Sequence, residues 1–222
     1  MAYSVITIWN LALGAVGGRG SISAEAEAGR EADLCRLWYP LVRDTILKAA
    51  PWPCAKKFAR LALLTERVDN TDWTVASPNP TWRYAYGVPS DMIAPRYLVS
   101  FARFERGLVG TANAIMTNEE QAVLQYTMQQ DDVSRWDVGL VNSVVHLLGA
   151  KLARPLTGKV TLAQDLSEAA REAVLLARTE IANESDDAYE MLPSWIAVRG
   201  YDGSPGVTKF VYPLEDLNVI GA

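Results

Sequence analysis

The residues that most often carry enzymatic or metal chemistry are scarce in this sequence. It contains a single histidine, His146, and two cysteines, Cys35 and Cys54. A zinc site built from histidine and cysteine needs several such residues at short spacings, and neither a CxxC pair nor an HExxH run occurs. A Ser-His-Asp triad would have to use His146, but no GxSxG segment is there to present a nucleophilic serine. We therefore expect His146 to serve packing or an interface, and the cysteines to be two small buried thiols rather than a disulfide.

Basic side chains are also in deficit. The sequence has 21 Lys and Arg against 26 Asp and Glu, which gives a net charge of −5. Such a chain is poorly suited to gripping nucleic acid through its phosphates, although an acidic wall would let DNA pass without sticking. No apolar run approaches the ~20 residues of a membrane span. The first eighteen residues carry no charge, but they lack an N-terminal Lys or Arg and Asn10 interrupts the apolar run, so we expect no secretion signal.

One long helix is predicted within residues 25–50, where apolar residues recur at alternating steps of four and three. Pro40 cannot donate a backbone hydrogen bond, so we expect a bend there, and the Pro51-Trp52-Pro53 corner must end the helix. The apolar stripe consists of Ala28, Ala32, Cys35, Tyr39, Val42, Ile46 and Ala49.

Three further helices are predicted. The first covers residues 5–13 and ends at Gly14, the third is opened by Asp131-Asp132 and ends at residues 154–155, and the fourth begins with a capping-box pattern at Thr161. The fourth helix has a wide apolar face. One edge of the third helix carries residues, mostly small, that would let another backbone approach closely: Arg135, Gly139, Asn142, His146, Gly149 and Ala153.

Between the second and third helices the helical period gives way to the alternation typical of strands. Strands are predicted over residues 58–64, 82–86, 97–104, 108–116 and 122–128, with residues 105–107 joining the third to the fourth. We expect a small antiparallel sheet or partial barrel inserted between the helices. Trp82, Tyr84 and Tyr86 alternate along one strand, and core packing explains them better than base stacking, because only Arg83 supplies positive charge among them.

Two carboxylate pairs, Asp131-Asp132 and Asp186-Asp187, lie at predicted helix ends, where capping and solvation explain them better than acid–base or metal chemistry. Carboxylates that the fold brings together from distant positions are not detectable in a sequence. A small acidic hydrolase and a DNA-binding module with an unrecognised site are therefore the two alternative functions.

The predicted fold is α+β: a four-helix bundle from residues 1–55 and 131–188, an inserted β domain over 56–130, and an extended C-terminal tail over 189–222. The tail is rich in apolar side chains, which would be costly to leave in water. It either lies on a partner surface or folds back on its own helices. The candidate interface residues of the tail are Trp195, Phe210, Tyr212, Leu214, Leu217 and Ile220, and His146 is added from the third helix.

Several segments occur in a characteristic order. A helix with Asn10-Leu-Ala-Leu13-Gly14 precedes a long helix with Cys35-Arg-Leu-Trp-Tyr-Pro-Leu-Val-Arg43-Asp44 and the corner Pro51-Trp52-Pro-Cys-Ala55-Lys56. Then follow Trp82-Arg-Tyr84-Ala-Tyr86-Gly-Val-Pro89-Ser-Asp91, Ile115-Met-Thr117-Asn118, Leu124-Gln-Tyr126 and a helix with Leu152-Ala153. In this order they resemble the tail tubular protein A family of tailed phages, the head-to-tail adaptors. The resemblance covers residues 5–188. Its most specific parts are the Pro-Trp-Pro corner and the segment 82–91, and Cys54 departs from it, because the family usually has an aromatic residue there.

The resemblance implies a non-enzymatic protein that forms a ring, a dodecamer, without cofactor or metal. Its partners would be other copies of itself, the portal protein above and the tail nozzle, tail tubular protein B, below. DNA would be only a passing occupant of the channel, and no membrane would be involved. The protein would be assembled in the host cytoplasm and reside in the virion at the head-to-tail interface. On this view the C-terminal tail clasps the portal or an adjacent subunit.

Overall fold

The computed structural model describes residues 3–18, 21–67 and 81–184 of the 222-residue chain. In those residues it contains four α-helices and two antiparallel sheets, a mixture that agrees with the predicted combination of helices and antiparallel strands. The helices are α1 (Val5–Val16), α2 (Arg30–Ala49), α3 (Val138–Thr157) and α4 (Val160–Glu184). The strands are β1 (Lys56–Arg60), β2 (Leu63–Glu66), β3 (Tyr84–Gly87), β4 (Met92–Leu98), β5 (Phe104–Val109), β6 (Ala112–Thr117) and β7 (Val123–Met128). Met1–Ile181 forms one compact unit, and the second, Ala182–Ala222, is described only as far as Glu184.

Helix α2 confirms the centre of the predicted stripe and corrects its ends. Ala32, Cys35, Tyr39, Val42 and Ile46 are buried on one face. The predicted outer members of the stripe, Ala28 and Ala49, are exposed. The helix begins only at Arg30, and its last turn buries Leu47 and the following Ala50 instead of Ala49. The helix continues through Pro40, whose side chain is exposed, and it ends before the Pro-Trp-Pro corner as predicted.

The other helix ends differ from the predicted ones. Helix α1 passes Gly14 and is closed by Gly17, whose φ of 80° is the left-handed conformation that glycine adopts freely. Helix α3 begins after Asp137, whose side chain accepts from the Leu140 amide, whereas Asp132 caps a short 3-10 turn, Val133–Arg135. The capping-box prediction at Thr161 is wrong, because α4 already begins at Val160.

The strands form two sheets where the sequence predicted one. Their orders are β1-β7-β4 and β2-β3-β6-β5. The predicted strand 58–64 is divided between β1 and β2, which pair in different sheets. The predicted strands 97–104 and 108–116 are also wrong. Phe101 turns the chain with a φ of 56°, and Gly110, with a φ of 60°, makes the hairpin between β5 and β6.

Two main hydrophobic cores organise the described residues. The larger lies among α1, α2 and α3, to which α4 adds Leu166 and Ala177. The second lies between the two sheets and includes Tyr84 and Tyr86 together with Leu124 and Tyr126. The buried tyrosines confirm the prediction that this strand packs in a core rather than presenting its rings for stacking.

An aromatic cluster marks the centre of the larger core. The Tyr39 ring lies 6.1 Å from the Trp9 ring and 6.5 Å from the Trp136 ring, between centroids. The Tyr39 hydroxyl and the indole N–H groups of both tryptophans are buried without a hydrogen-bond partner among the described residues. Burial raises the pKa of the Tyr39 hydroxyl far above its ordinary value.

Arg96 on β4 connects the first sheet to the end of α2. Its guanidinium donates to the carbonyl oxygens of Leu47, Lys48 and Ala50 at 3.3, 3.2 and 2.6 Å, and to the Thr127 hydroxyl at 2.7 Å. The last carbonyls of a helix have no donor within the helix, so Arg96 supplies one from the sheet. In the part of the chain that the structure describes, no helix combines the length and apolarity needed to cross a bilayer.

Candidate partner-binding surfaces

A groove runs between α3 and α4 and has a volume of about 410 Å³. Its floor consists of small residues, and its wall on the α4 side includes Leu176. Two exposed carboxylates of α4, Glu172 and Glu180, stand at its rim, and Asn142 and His146 line it from α3. The groove therefore combines small and apolar residues with the polar side chains of Asn142 and His146 inside, and two carboxylates stand at its edge.

The small residues of α3 let α4 and α1 come close, as the spacing predicted. A Cβ atom added at Gly139 would lie 2.8 Å from the Cβ of Ala177 on α4. One added at Gly149 would lie 3.3 Å from the Leu166 side chain and 3.5 Å from the Ala12 carbonyl oxygen. These glycines set the spacing of the helices on both sides of α3.

Helix α4 covers most of the wide apolar face that the sequence predicted, but much of that face is only half-buried: Leu162, Val174 and Ile181 pack against the larger core. Of its 25 residues only Leu166, Ala170 and Ala177 are buried. Leu175 and Leu176 are 62% and 60% exposed. The helix also carries five acidic and two basic side chains, a net charge of −3. Adjacent exposed leucines on a long helix are typical of a surface that contacts another protein.

A second surface, on β1, combines apolar and basic side chains. Lys56, Phe58 and Arg60 alternate along the strand and so share one face of the sheet. Phe58 is 51% exposed, and the Lys56 ammonium lies 5.9 Å from the centre of its ring. In the described sheet β1 is an edge strand, paired only with β7. We call these three residues the β1 patch.

The opposite face of β1 makes an internal polar contact. Lys57 pairs with Asp91 at 2.7 Å, and the Tyr126 hydroxyl donates to the same carboxylate at 2.9 Å. The hydrogen bond from Lys57 lowers the pKa of Asp91, and the one from Tyr126 acts in the same direction.

The structure places His146 in the α3–α4 groove, where it is half-buried. Its Nδ1 is buried and has no hydrogen-bond partner among the described residues. The nearby Ser143 donates to the Gly139 carbonyl oxygen at 2.7 Å within the helix. The arrangement fits the predicted packing or interface role better than a nucleophile–base pair, which needs a serine within reach of the imidazole.

The predicted interface residues of the C-terminal tail lie outside the described residues, and their role stays a prediction. They are Trp195, Phe210, Tyr212, Leu214, Leu217 and Ile220. Sequence reasoning missed the β1 patch. The alternation of Lys56, Phe58 and Arg60 is a signal for it, but a strand predicted to begin at Phe58 leaves out Lys56.

The remaining candidates for chemistry have structural roles where they are described. Asp131 pairs with Arg43, and Asp132 accepts from Ser134 and Arg135. Within residues 3–18, 21–67 and 81–184 no group of His, Cys, Asp and Glu is placed to hold a metal ion. Asp186-Asp187 lies outside these ranges.

Both cysteines are free thiols, Cys35 buried and Cys54 half-buried. Burial raises the pKa of each thiol to about 11, so both are protonated and unreactive at neutral pH.

A scan against models of known protein families finds no match, and no curated protein matches the sequence.

Proposed function

We propose that this chain is a structural subunit of a ring, the head-to-tail adaptor of a tailed phage, with DNA passing through the ring. Residues 1–55 and 131–188 would form the four-helix bundle of each subunit, and residues 56–130 its inserted β domain. The ring would be a dodecamer seated between the portal and the tail nozzle. The order of sequence segments shared with the tail tubular protein A family supports this assignment.

The structural observation that carries the proposal is the exposed face of α4. A 25-residue helix that fully buries only three residues, and leaves adjacent leucines more than half exposed, keeps apolar surface that its own subunit does not cover. Burying the exposed part of such a leucine contributes about 1–2 kcal/mol, a gain that another surface can supply. A subunit built for repeated contacts around a ring has this property.

The charge of the chain supports the role of a channel wall. A net charge of −5 on every copy accumulates around a ring and repels the phosphates of a passing duplex. A protein that binds DNA for its own function needs the opposite balance. The DNA-binding alternative is therefore disfavoured by the same charge that suits an adaptor.

The C-terminal tail would clasp the portal or the adjacent subunit. The basis of this step is the sequence of residues 189–222, whose aromatic and aliphatic side chains are costly to expose. A chain lacking residues 190–222 should bind portal rings more weakly than the full chain. Unchanged portal binding and unchanged ring assembly by the truncated chain would contradict this role of the tail.

The proposed function is tested by electron microscopy and sedimentation velocity of the full chain over a concentration series, alone and with portal rings. We expect subunits that form rings at high concentration or on the portal. A gel-shift experiment with non-specific duplex DNA distinguishes an adaptor from a DNA-binding module. An adaptor leaves the duplex unshifted at moderate salt. A DNA-binding module shifts the duplex and releases it as the salt concentration rises.

A further inference from the structure

We propose that the α3–α4 groove of one copy receives the β1 patch of the next copy, and that this contact propagates the ring. The inference rests on the proposed function, because it assumes that copies of the chain assemble. It adds which two surfaces meet and which charges decide their pairing.

On its α4 side the groove supplies an apolar slot, formed by small residues and Leu176, with an acidic rim. Glu172 and Glu180 are two turns apart on α4, so both stand on the groove side of the helix. The Leu176 side chain lies between them along the helix and is 60% exposed. An occupant that buries Leu176 must bring an apolar group to the slot and positive charges to the two carboxylates.

The β1 patch has the matching chemistry in the matching order. Phe58 is the apolar group, and Lys56 and Arg60 flank it on the same face of the strand. Two residues along a strand span about 6.6–6.8 Å, and four residues along a helix span about 6 Å. The basic–apolar–basic row of β1 therefore has nearly the same spacing as the acidic–apolar–acidic row of α4.

Net charge disfavours an alternative occupant, the C-terminal segment of the chain itself. Residues 185–222 carry six acidic and two basic side chains, a net charge of −4, and would be repelled by the rim. Residues 56–66 carry three basic side chains and one acidic one. The groove and the β1 patch share no residue, so their pairing is head-to-tail, the kind of contact that closes into a ring.

A pair of charge-reversed variants tests the pairing. Glu172→Lys with Glu180→Lys makes the groove rim basic, and Lys56→Glu with Arg60→Glu makes the β1 patch acidic. All four side chains are exposed, so both variants should fold, as circular dichroism will verify. Each variant alone then places like charges across the contact. An equal mixture restores opposite charges at every contact of a ring in which the two variants alternate.

We expect each variant alone to need a concentration at least about tenfold higher than the wild type to assemble, and the mixture to assemble near the wild-type concentration. Asp165→Lys with Glu168→Lys, exposed carboxylates of α4 outside the groove, is the matched control and should assemble normally. If a charge-reversed variant does not fold, Leu176→Ser and Phe58→Ser test the apolar part of the contact instead. Each of these two substitutions should weaken assembly to a similar extent.

Two outcomes overturn the proposal in distinguishable ways. In the first, the wild-type chain assembles, but both reversed variants assemble equally well, or their mixture does not regain wild-type assembly. This outcome contradicts the pairing of these two surfaces and leaves the proposed ring intact. Wild-type chain that stays a single subunit at every concentration, alone and with portal rings, contradicts the proposed function and the pairing together.

Discussion

The guanidinium of Arg96 lies 2.6 Å from the carbonyl oxygen of Ala50, the residue that follows the last turn of α2. This contact fixes the orientation of the first sheet relative to the helix that forms the middle of the larger core. The same guanidinium donates to the Thr127 hydroxyl on β7, so one side chain connects the end of α2 to two strands of that sheet.

Replacing Arg96 by alanine should lower the free energy of unfolding by about 2–3 kcal/mol. The substitution removes a half-buried charge-assisted donor and leaves several carbonyl oxygens without a partner. Chemical denaturation followed by circular dichroism measures the loss. Arg96→Lys is the control, since lysine keeps the charge but cannot reach several carbonyls from one planar group, and it should recover only part of the loss.

Tyr39→Phe should raise the free energy of unfolding by about 1 kcal/mol, because it removes a buried hydroxyl without a partner among the described residues. Tyr126→Phe is the matched control and should lower the free energy of unfolding, since the Tyr126 hydroxyl donates to Asp91 at 2.9 Å. Denaturation midpoints of the two variants, measured side by side, check the prediction. A destabilised Tyr39→Phe protein would show that the hydroxyl has a partner in solution.

The closeness of α3 and α4 predicts a coupled pair of substitutions. Gly139→Ala places a Cβ 2.8 Å from the Ala177 Cβ and should destabilise by about 1 kcal/mol, since overpacking outweighs the higher helix propensity of alanine. Ala177→Gly removes the obstructing methyl group, so the double variant should be more stable than the two single effects predict. A double-mutant cycle measures the coupling, and additive effects would mean that the helices are further apart.

Asp91 should contribute stability that depends on pH. Its pKa in the folded protein is lowered from the ordinary value of 3.8, chiefly by Lys57. Because its pKa is lowered, Asp91 stabilises the folded state at pH values above 3.8. This stabilisation is lost as the pH falls through the pKa that Asp91 has in the folded protein. The stability difference between wild type and Asp91→Asn should therefore shrink as the pH is lowered below 3.8. In a Lys57→Met background the same comparison should show a weaker dependence on pH.

The sequence predicts the helices better than the strands, for physical reasons. The buried stripe of α2 and the small-residue edge of α3 follow from a period that many residues repeat. Helix ends depend on single caps, and Asp132 and Asp137 look alike in a sequence although only the second caps α3. The turn at Gly110 divides two strands that local alternation alone does not separate.

The candidate surfaces were accessible to sequence reasoning only in part. The small-residue edge of α3 and the placement of His146 follow from helical spacing. The exposure of Leu175 and Leu176 does not, because an apolar face looks the same whether its own chain or a partner covers it. The β1 patch needed the packing of the sheet, since alternation along a strand does not show that the face carrying Phe58 is left uncovered.

The central claim is that copies of this chain assemble around a channel. Electron microscopy of the full chain mixed with portal rings tests it most directly. The account predicts an added layer with rotational symmetry beneath the portal, in which the α3–α4 groove of each copy faces β1 of its neighbour. Bare portals and solitary subunits at every concentration would contradict it.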